Sequence, residues 1–332
     1  MNTTWLTLSK NKRIEILNLV TDRTGLPANA IEKDWWVTLA LNAIFSLPYS
    51  QYIIFKGGTS LSKGWDLINR FSEDIDLAFD RSYFGFEGDI SKTQIKKLRK
   101  KSCTFISTIC VSDLKEILTD WGSLKACEIN AQPLIDPDKD PLTIEIQYDS
   151  ILESTQYLTH KVLIEIGSRS LTEPTSNRSI NSIISTQFPS MKFASDPKTI
   201  PVVLPQRTFL EKIFLLHEEF SQKSEKIRNY RLSRHLYDLV KLMDTDHGIT
   251  AIQNRPLYNT IVSHRQKFNA IKNIDYKNHS PEKIKIIPPA SVLKEYERDY
   301  TEMNRFMIYG ESIPFEVLIK KIEELQNRIN LM

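Results

Sequence analysis

The chain has 332 residues, 26% of them charged and 41% hydrophobic, with a formal net charge of +3. That length suggests two domains and at least one sizeable core, and so small a net charge does not by itself mark a nucleic-acid binder, so any RNA contact must come from local basic clusters. Three cysteines, Cys103, Cys110 and Cys127, form no CxxC pair and have no histidine at ligand spacing, which argues against a disulfide framework or a zinc site and fits a reducing cytoplasm.

The N-terminus, Met1-Asn2-Thr3-Thr4-Trp5, lacks the basic-then-apolar pattern of a signal peptide. No apolar run approaches the roughly 18 residues of a membrane span. Residues 10–21 read as a first helix with Ile14, Ile16, Leu17 and Val20 as its apolar stripe, ended by Gly25 and Pro27. A second helix is expected over 30–45, with Asn29 as cap and Trp35 and Trp36 as packing residues.

A β run from Tyr52 to Phe55 then feeds Lys56-Gly57-Gly58-Thr59-Ser60-Leu61-Ser62-Lys63, a glycine pair opening a short helix. It is followed by Arg70-Phe71-Ser72-Glu73-Asp74-Ile75-Asp76-Leu77. In a strand, residues i and i+2 share a face, so Asp74 and Asp76 point together while Ile75 and Leu77 line the buried side. Two like charges on one face need positive compensation. Divalent cations, about 3.5–4 Å apart in two-metal sites, supply it. Glycine admits close backbone approach, and the free N–H groups of a helix start favour phosphate. A tight strand-to-helix turn and an exposed edge strand are the plain readings of each half. Together, phosphate cradle and carboxylate pair suggest nucleotidyl transfer.

Residues 81–101 are irregular and then strongly basic, with Lys92, Lys96, Lys97, Arg99, Lys100 and Lys101 forming either a solvated helix face or a rail for a phosphodiester backbone. Residues 105–118 read as helical, and 143–148 and 161–166 alternate as strands. The acidic, proline-flanked 136–141 is a turn-rich loop, solvated or cation-binding. Residues 171–205, rich in Ser, Thr, Pro and Asn, have the composition of an excursion between domains. From Arg207 the pattern is helical, with one stripe of Phe209, Ile213, Leu216 and Phe220 and another of Leu232, Leu236, Leu239 and Met243. Further helices are expected at 251–263, 291–303 and 315–329.

These residues resemble the AbiEii/AbiGii toxin family of nucleotidyltransferase-like proteins, which includes the MenT toxins. The likeness runs through Ile31-Glu32-Lys33-Asp34-Trp35-Trp36-Val37, the two motifs at 56–63 and 71–77, Lys161–Gly167, Thr208-Phe209-Leu210-Glu211-Lys212 and Arg234-His235-Leu236-Tyr237-Asp238-Leu239. It implies an α+β fold with a nucleotidyltransferase-type mixed sheet flanked by helices and a helical C-terminal domain. The corresponding division is N-terminal helices over 1–50, the nucleotidyltransferase core over 51–170 and the helical part over 171–332. It implies a toxin of a toxin–antitoxin or phage-exclusion system, a nucleoside triphosphate substrate with Mg2+ (or Mn2+), the 3′ end of tRNA as acceptor, and an antitoxin of winged-helix repressor type as partner.

By correspondence, Asp74, Asp76, Lys212 and Asp238 are the catalytic set. Lys56, Gly57, Gly58, Thr59, Ser60, Lys63 and Ser72 are the nucleotide-binding set, and Asp74, Asp76 and Glu165 hold metal, with Glu145 as the second choice for the third carboxylate. Taken alone, Lys212 reads as a surface lysine, Arg234 and Asp238 as an ordinary helix pair, and His235 as a helix-capping or core histidine or, failing that, a base. The alternatives are transfer to a protein hydroxyl and a non-catalytic nucleotide-binding protein.

Overall fold

Ser9 accepts the backbone N–H of Lys12 and starts a helix that Gly25 ends in a left-handed conformation, φ 74°. This computed structural model describes residues 1–72, 74–132, 142–153, 159–169 and 174–332. The acidic segment 136–141 lies outside them. The first helices are α1 (Thr4–Thr7), α2 (Lys10–Thr24) and α3 (Ala28–Ile44). Asn29 does not cap α3: the helix begins at Ala28, two residues earlier than expected, after extended Pro27, and the Asn29 amide donates to the Glu153 carbonyl at 3.0 Å.

Every residue of α3 from Ala30 to Ile44 is buried, charged ones included. Buried charge needs partners, and each has one. Glu32 accepts Ser150 Oγ at 2.6 Å and the Ile151 N–H, Lys33 donates to the Thr159 carbonyl, and Asp34 accepts the Ile183 N–H at 2.7 Å. Trp35 and Trp36 pack as expected, edge to face, with Trp36 stacked on Tyr148.

Next come β1 (Ile53–Lys56), α4 (Gly57–Lys63), β2 (Ile75–Phe79), α5 (Lys92–Phe105) and α6 (Val111–Asp120). Then follow β3 (Cys127–Ala131), β4 (Leu142–Tyr148), β5 (Lys161–Gly167), β6 (Thr175–Ile180), α7 (Ile183–Gln187) and β7 (Lys198–Val203). The strands form one mixed sheet in the order β3-β4-β5-β2-β1-β7-β6. The pairs β1/β7 and β2/β5 are parallel, and the others antiparallel. Within the stretch expected as an excursion, the described residues 174–203 supply two strands of the sheet. The polar β6 sits at its edge, where only one neighbour constrains it.

Register separates the two faces, since cross-strand partners point the same way. One face carries Phe55, Leu77 and Ile166, with Ile75, Ile164 and Ile144 beside them, all buried. On the other, Lys56, Asp76, Glu165 and Thr143 stand in one lateral row across β1, β2, β5 and β4.

The chain divides into two compact units, Met1–Trp65 with Phe71–Val203, and Asp66–Arg70 with Leu204–Met332. The second unit is helical: α8 (Pro205–Phe220), α9 (Ser233–Leu242), α10 (Asp246–Gln253), α11 (Arg255–His264), α12 (Leu293–Phe306) and α13 (Phe315–Asn330). The two expected stripes on α8 and α9 are buried. Asn254 splits the helix expected at 251–263 by capping Leu257 with its side chain. Asp299 of α12 accepts the backbone N–H groups of Arg231 and Ser233 and so caps the start of α9. Residues 66–70 attach to this unit through Tyr309 N–H on the Asn69 carbonyl and a β-bridge between Arg70 and Ile308. No helix among the described residues is long and apolar enough to cross a membrane.

Candidate active site

The turn from β1 into α4 is shaped by Gly57, whose φ is +80°. A β-carbon there would stand 1.9 Å from Asp76 Oδ2. No residue but glycine lets the backbone and the Asp76 carboxylate approach so closely. On one side of Asp76 the register puts Lys56, and on the other Glu165. Asp74 lies two residues before Asp76, just ahead of β2, and is half-buried. The first carboxylate row thus has Glu165 as its across-strand member. Glu145 pairs instead with Leu163, and its carboxylate takes Lys161 Nζ at 3.0 Å and Gln132 Nε2 at 3.2 Å.

Within α4 the expected nucleotide-binding side chains are turned to local duties. The Thr59 hydroxyl donates to the Asp74 carbonyl and lies 2.9 Å from the Ser72 hydroxyl, fastening the approach to β2 onto α4. Ser60 is fully buried and its hydroxyl donates to the Gly57 carbonyl at 2.8 Å. Lys63, expected to neutralise phosphate, places its ammonium on Asp34 Oδ1 at 2.5 Å and on the Asn181 carbonyl at 2.9 Å. It braces α4 against α3. The first N–H groups of a helix have no partner within it, so the amides of the Gly57-Gly58 turn are candidates to donate to a ligand oxygen.

The other expected residues, Lys212 and Asp238, lie in the second unit. Asp238 is fully buried and is gripped bidentately by Arg70, Nε on Oδ1 and Nη2 on Oδ2, each at 2.7 Å. Lys212 Nζ lies 2.9 Å from Asp238 Oδ2 and 3.3 Å from His235 Nδ1. Burial would raise the Asp238 pKa, but the charges of Arg70 and then Lys212 outweigh it and hold the carboxyl below its ordinary value. Burial lowers that of Lys212, opposed by Asp238. Burial, then the Lys212 charge, pushes His235 well below the usual histidine value. His235 is therefore a neutral core residue that accepts from Lys212.

Sequence reasoning assigned no role to Arg70 or Asp34. A single arginine beside the Phe71-Ser72 segment, and the charged run Glu32-Lys33-Asp34 in an otherwise largely apolar helix, were the available signals.

Asp74, Asp76 and Glu165 offer hard oxygen donors, the kind magnesium and manganese take, and magnesium is commonly held by one or two carboxylates plus substrate phosphates. Among the described residues no group of three or more His, Cys, Asp or Glu side chains is arranged to hold a metal by itself. The donors fit a cation shared with a bound nucleotide.

A family model described as nucleotidyl transferase AbiEii toxin, type IV TA system, matches residues 39–324. In structure the chain is similar to MenT4, a nucleotidyltransferase toxin from Mycobacterium tuberculosis H37Rv, over 96% of this chain and 90% of that one, with a TM-score of 0.54 and 13% identity. It also aligns with JHP933 from Helicobacter pylori over 92% of each chain, with a TM-score of 0.38 and 15% identity. No curated protein matches it in sequence. The MenT4 likeness speaks for the fold, and the family match spans the glycine turn, Asp74, Asp76, Glu165, Lys212 and Asp238 alike. The chain belongs to the AbiEii nucleotidyl transferase toxin family of type IV toxin–antitoxin systems.

Proposed function

We propose that this toxin transfers a nucleotide from a nucleoside triphosphate to the 3′ end of tRNA, with a winged-helix repressor as its antitoxin and the cytoplasm as its place of action. The observation that carries the catalytic reading is the contact of Gly57 with Asp76, which sets a carboxylate directly against a turn suited to phosphate. Amides of Gly57 and Gly58 hold the phosphates, and Lys56, on the same face as Asp76, adds positive charge. Asp76 or Glu165 takes the proton of the acceptor hydroxyl. That oxygen bonds the α-phosphorus as the bond to the β-phosphate breaks, and pyrophosphate leaves.

Magnesium or manganese bound by Asp74, Asp76 and Glu165 would offset charge on the α-phosphoryl group and the leaving group. Ser60, Thr59, Ser72 and Lys63 act by fixing the turn, through the contacts given above. Lys212 and Asp238 are needed for transfer as one ion group with Arg70.

The test is incubation with α- and γ-labelled triphosphates, magnesium and total RNA. Label from the α position in RNA supports the proposal. Label in protein instead indicates transfer to a side-chain hydroxyl, and label in neither indicates a nucleotide-binding protein without catalysis.

A further inference from the structure

We propose that the exposed face of α5 docks a phosphodiester backbone, that of the RNA acceptor; the proposal rests on the reading that the acceptor is RNA. Of the ten residues from Lys92 to Lys101, six are cationic, and α5 contains no acid at all. The whole chain carries only +3, so this one helix holds twice the net charge of the protein. Lys92, Lys96, Lys97, Lys100 and Lys101 are exposed, while Ile95, Leu98 and Cys103 form the buried side. The nearest acids in sequence, Glu87 and Asp89, precede the Ser91 cap.

This charge pattern is unfavourable for the helix taken by itself. Lys92, Lys96 and Lys100 recur every fourth residue, as do Lys97 and Lys101, and like charges at that spacing weaken a helix. Lys92 stands at the first helical position, against the positive end of the helix dipole. The helix is held by its apolar side and by a capping box between Ser91 and Gln94. Its cationic rows span about 14 Å along the axis at 1.5 Å per residue. Lys101 is fixed by donating to the Phe84 carbonyl at 3.0 Å.

The chemistry favours nucleic acid over a protein partner. Protein interfaces are centred on aromatic and apolar anchors and are poor in lysine, and the exposed face of α5 has no apolar residue. Lysine is a point charge that grips phosphate without reading bases. The helix belongs to the unit that holds Asp76, and Ser102 on its last turns lies 2.9 Å, Oγ to Oγ, from Ser168, the residue after β5.

The experiment is fluorescence anisotropy with labelled tRNA over about 50–200 mM salt, comparing the wild type with the Lys92→Gln, Lys97→Gln, Lys100→Gln triple variant. Each lost phosphate contact removes roughly 0.7–0.9 from the slope of log affinity against log salt. The expected result is a slope smaller by about 2–3, affinity at low salt at least about 10-fold weaker, and a melting temperature no lower than wild type. The Lys-to-Arg triple should bind as wild type does, which separates charge from any effect on folding. Unchanged slope and affinity in the glutamine triple, or loss of binding in the arginine triple, overturns the proposal. So does displacement of tRNA by polyglutamate at equal charge, which would mark a surface for an acidic protein. Asp76→Asn keeps the two readings apart: it should lose transfer and retain the full salt slope.

Discussion

Gly57 and Asp76 are in such close contact that a methyl group on the glycine would overlap the carboxylate, with 1.9 Å to Oδ2. Gly57→Ala must therefore displace Asp76, and it also meets the left-handed strain of φ +80°, about 1–2 kcal/mol for a residue with a side chain. Transfer should fall at least about 100-fold, the effect of a misplaced reacting group. Gly85 has φ +79° with nothing within 4 Å of its added β-carbon, so Gly85→Ala carries the strain without the clash. Thermal melts and label incorporation for both variants should show destabilisation in each, larger for Gly57→Ala, and loss of transfer only for Gly57→Ala. Equal transfer in the two would contradict the placement of Asp76 in the site.

Removing Arg70 should strip Asp238 of its bidentate partner. Breaking a buried ion pair from one side commonly costs about 3–5 kcal/mol, and Asp238 and Arg70 are both essentially inaccessible, at 0% and 1% exposure. Arg70→Leu is expected to lose stability in that range in urea denaturation. A loss below about 1 kcal/mol would class the pair with weak surface bridges.

Asp34 and Lys63 lend themselves to a double-mutant cycle. Asp34→Ala leaves the buried Lys63 ammonium without its carboxylate and Ile183 N–H without its acceptor. Adding Lys63→Met to Asp34→Ala should recover part of the loss, with a coupling of about 0.5–3 kcal/mol. Additive losses would show that the two side chains do not brace α4 together.

His217 gives a pH signature. Burial, then the nearby His279 charge, pulls its pKa down to about 4 from 6.5, and neutral Nδ1 accepts the Lys285 N–H at 3.1 Å. The unfolded chain therefore binds the proton more readily between those values. The contribution of this group to stability is full above pH 6.5 and is lost as pH falls toward 4, by about 1.4 kcal/mol per pH unit. His217→Gln, which keeps an acceptor, should flatten the pH dependence of the denaturation midpoint in that window. An unchanged slope would refute the assignment.

The site's sheet half was legible because its signals are local. Period-two alternation fixed the face of Asp76, the glycine pair marked the close approach, and alternation at 161–166 put Glu165 on a strand. The unread parts are long-range or weakly patterned. Arg70 meets Asp238 across 168 residues of sequence, and Lys63 meets Asp34 across 29. No spacing rule joins such pairs. The strand Thr175–Ile180 has alternate burial but almost no apolar residues, so as an edge strand it resembles a loop in composition. Ser60 was legible as part of the turn, but only its buried hydroxyl on the Gly57 carbonyl shows that it shapes the turn from within.

The catalytic claim is tested most directly by incorporation of α-labelled nucleotide into RNA by wild type and by Asp76→Asn, with the melting temperature of each measured alongside. Asp76→Asn retains the size of the side chain beside Gly57 and removes its charge. The account predicts wild-type folding with transfer reduced by about 100- to 1,000-fold, the scale of a lost electrostatic contribution to the transition state. Transfer at the wild-type rate by the folded variant would contradict it.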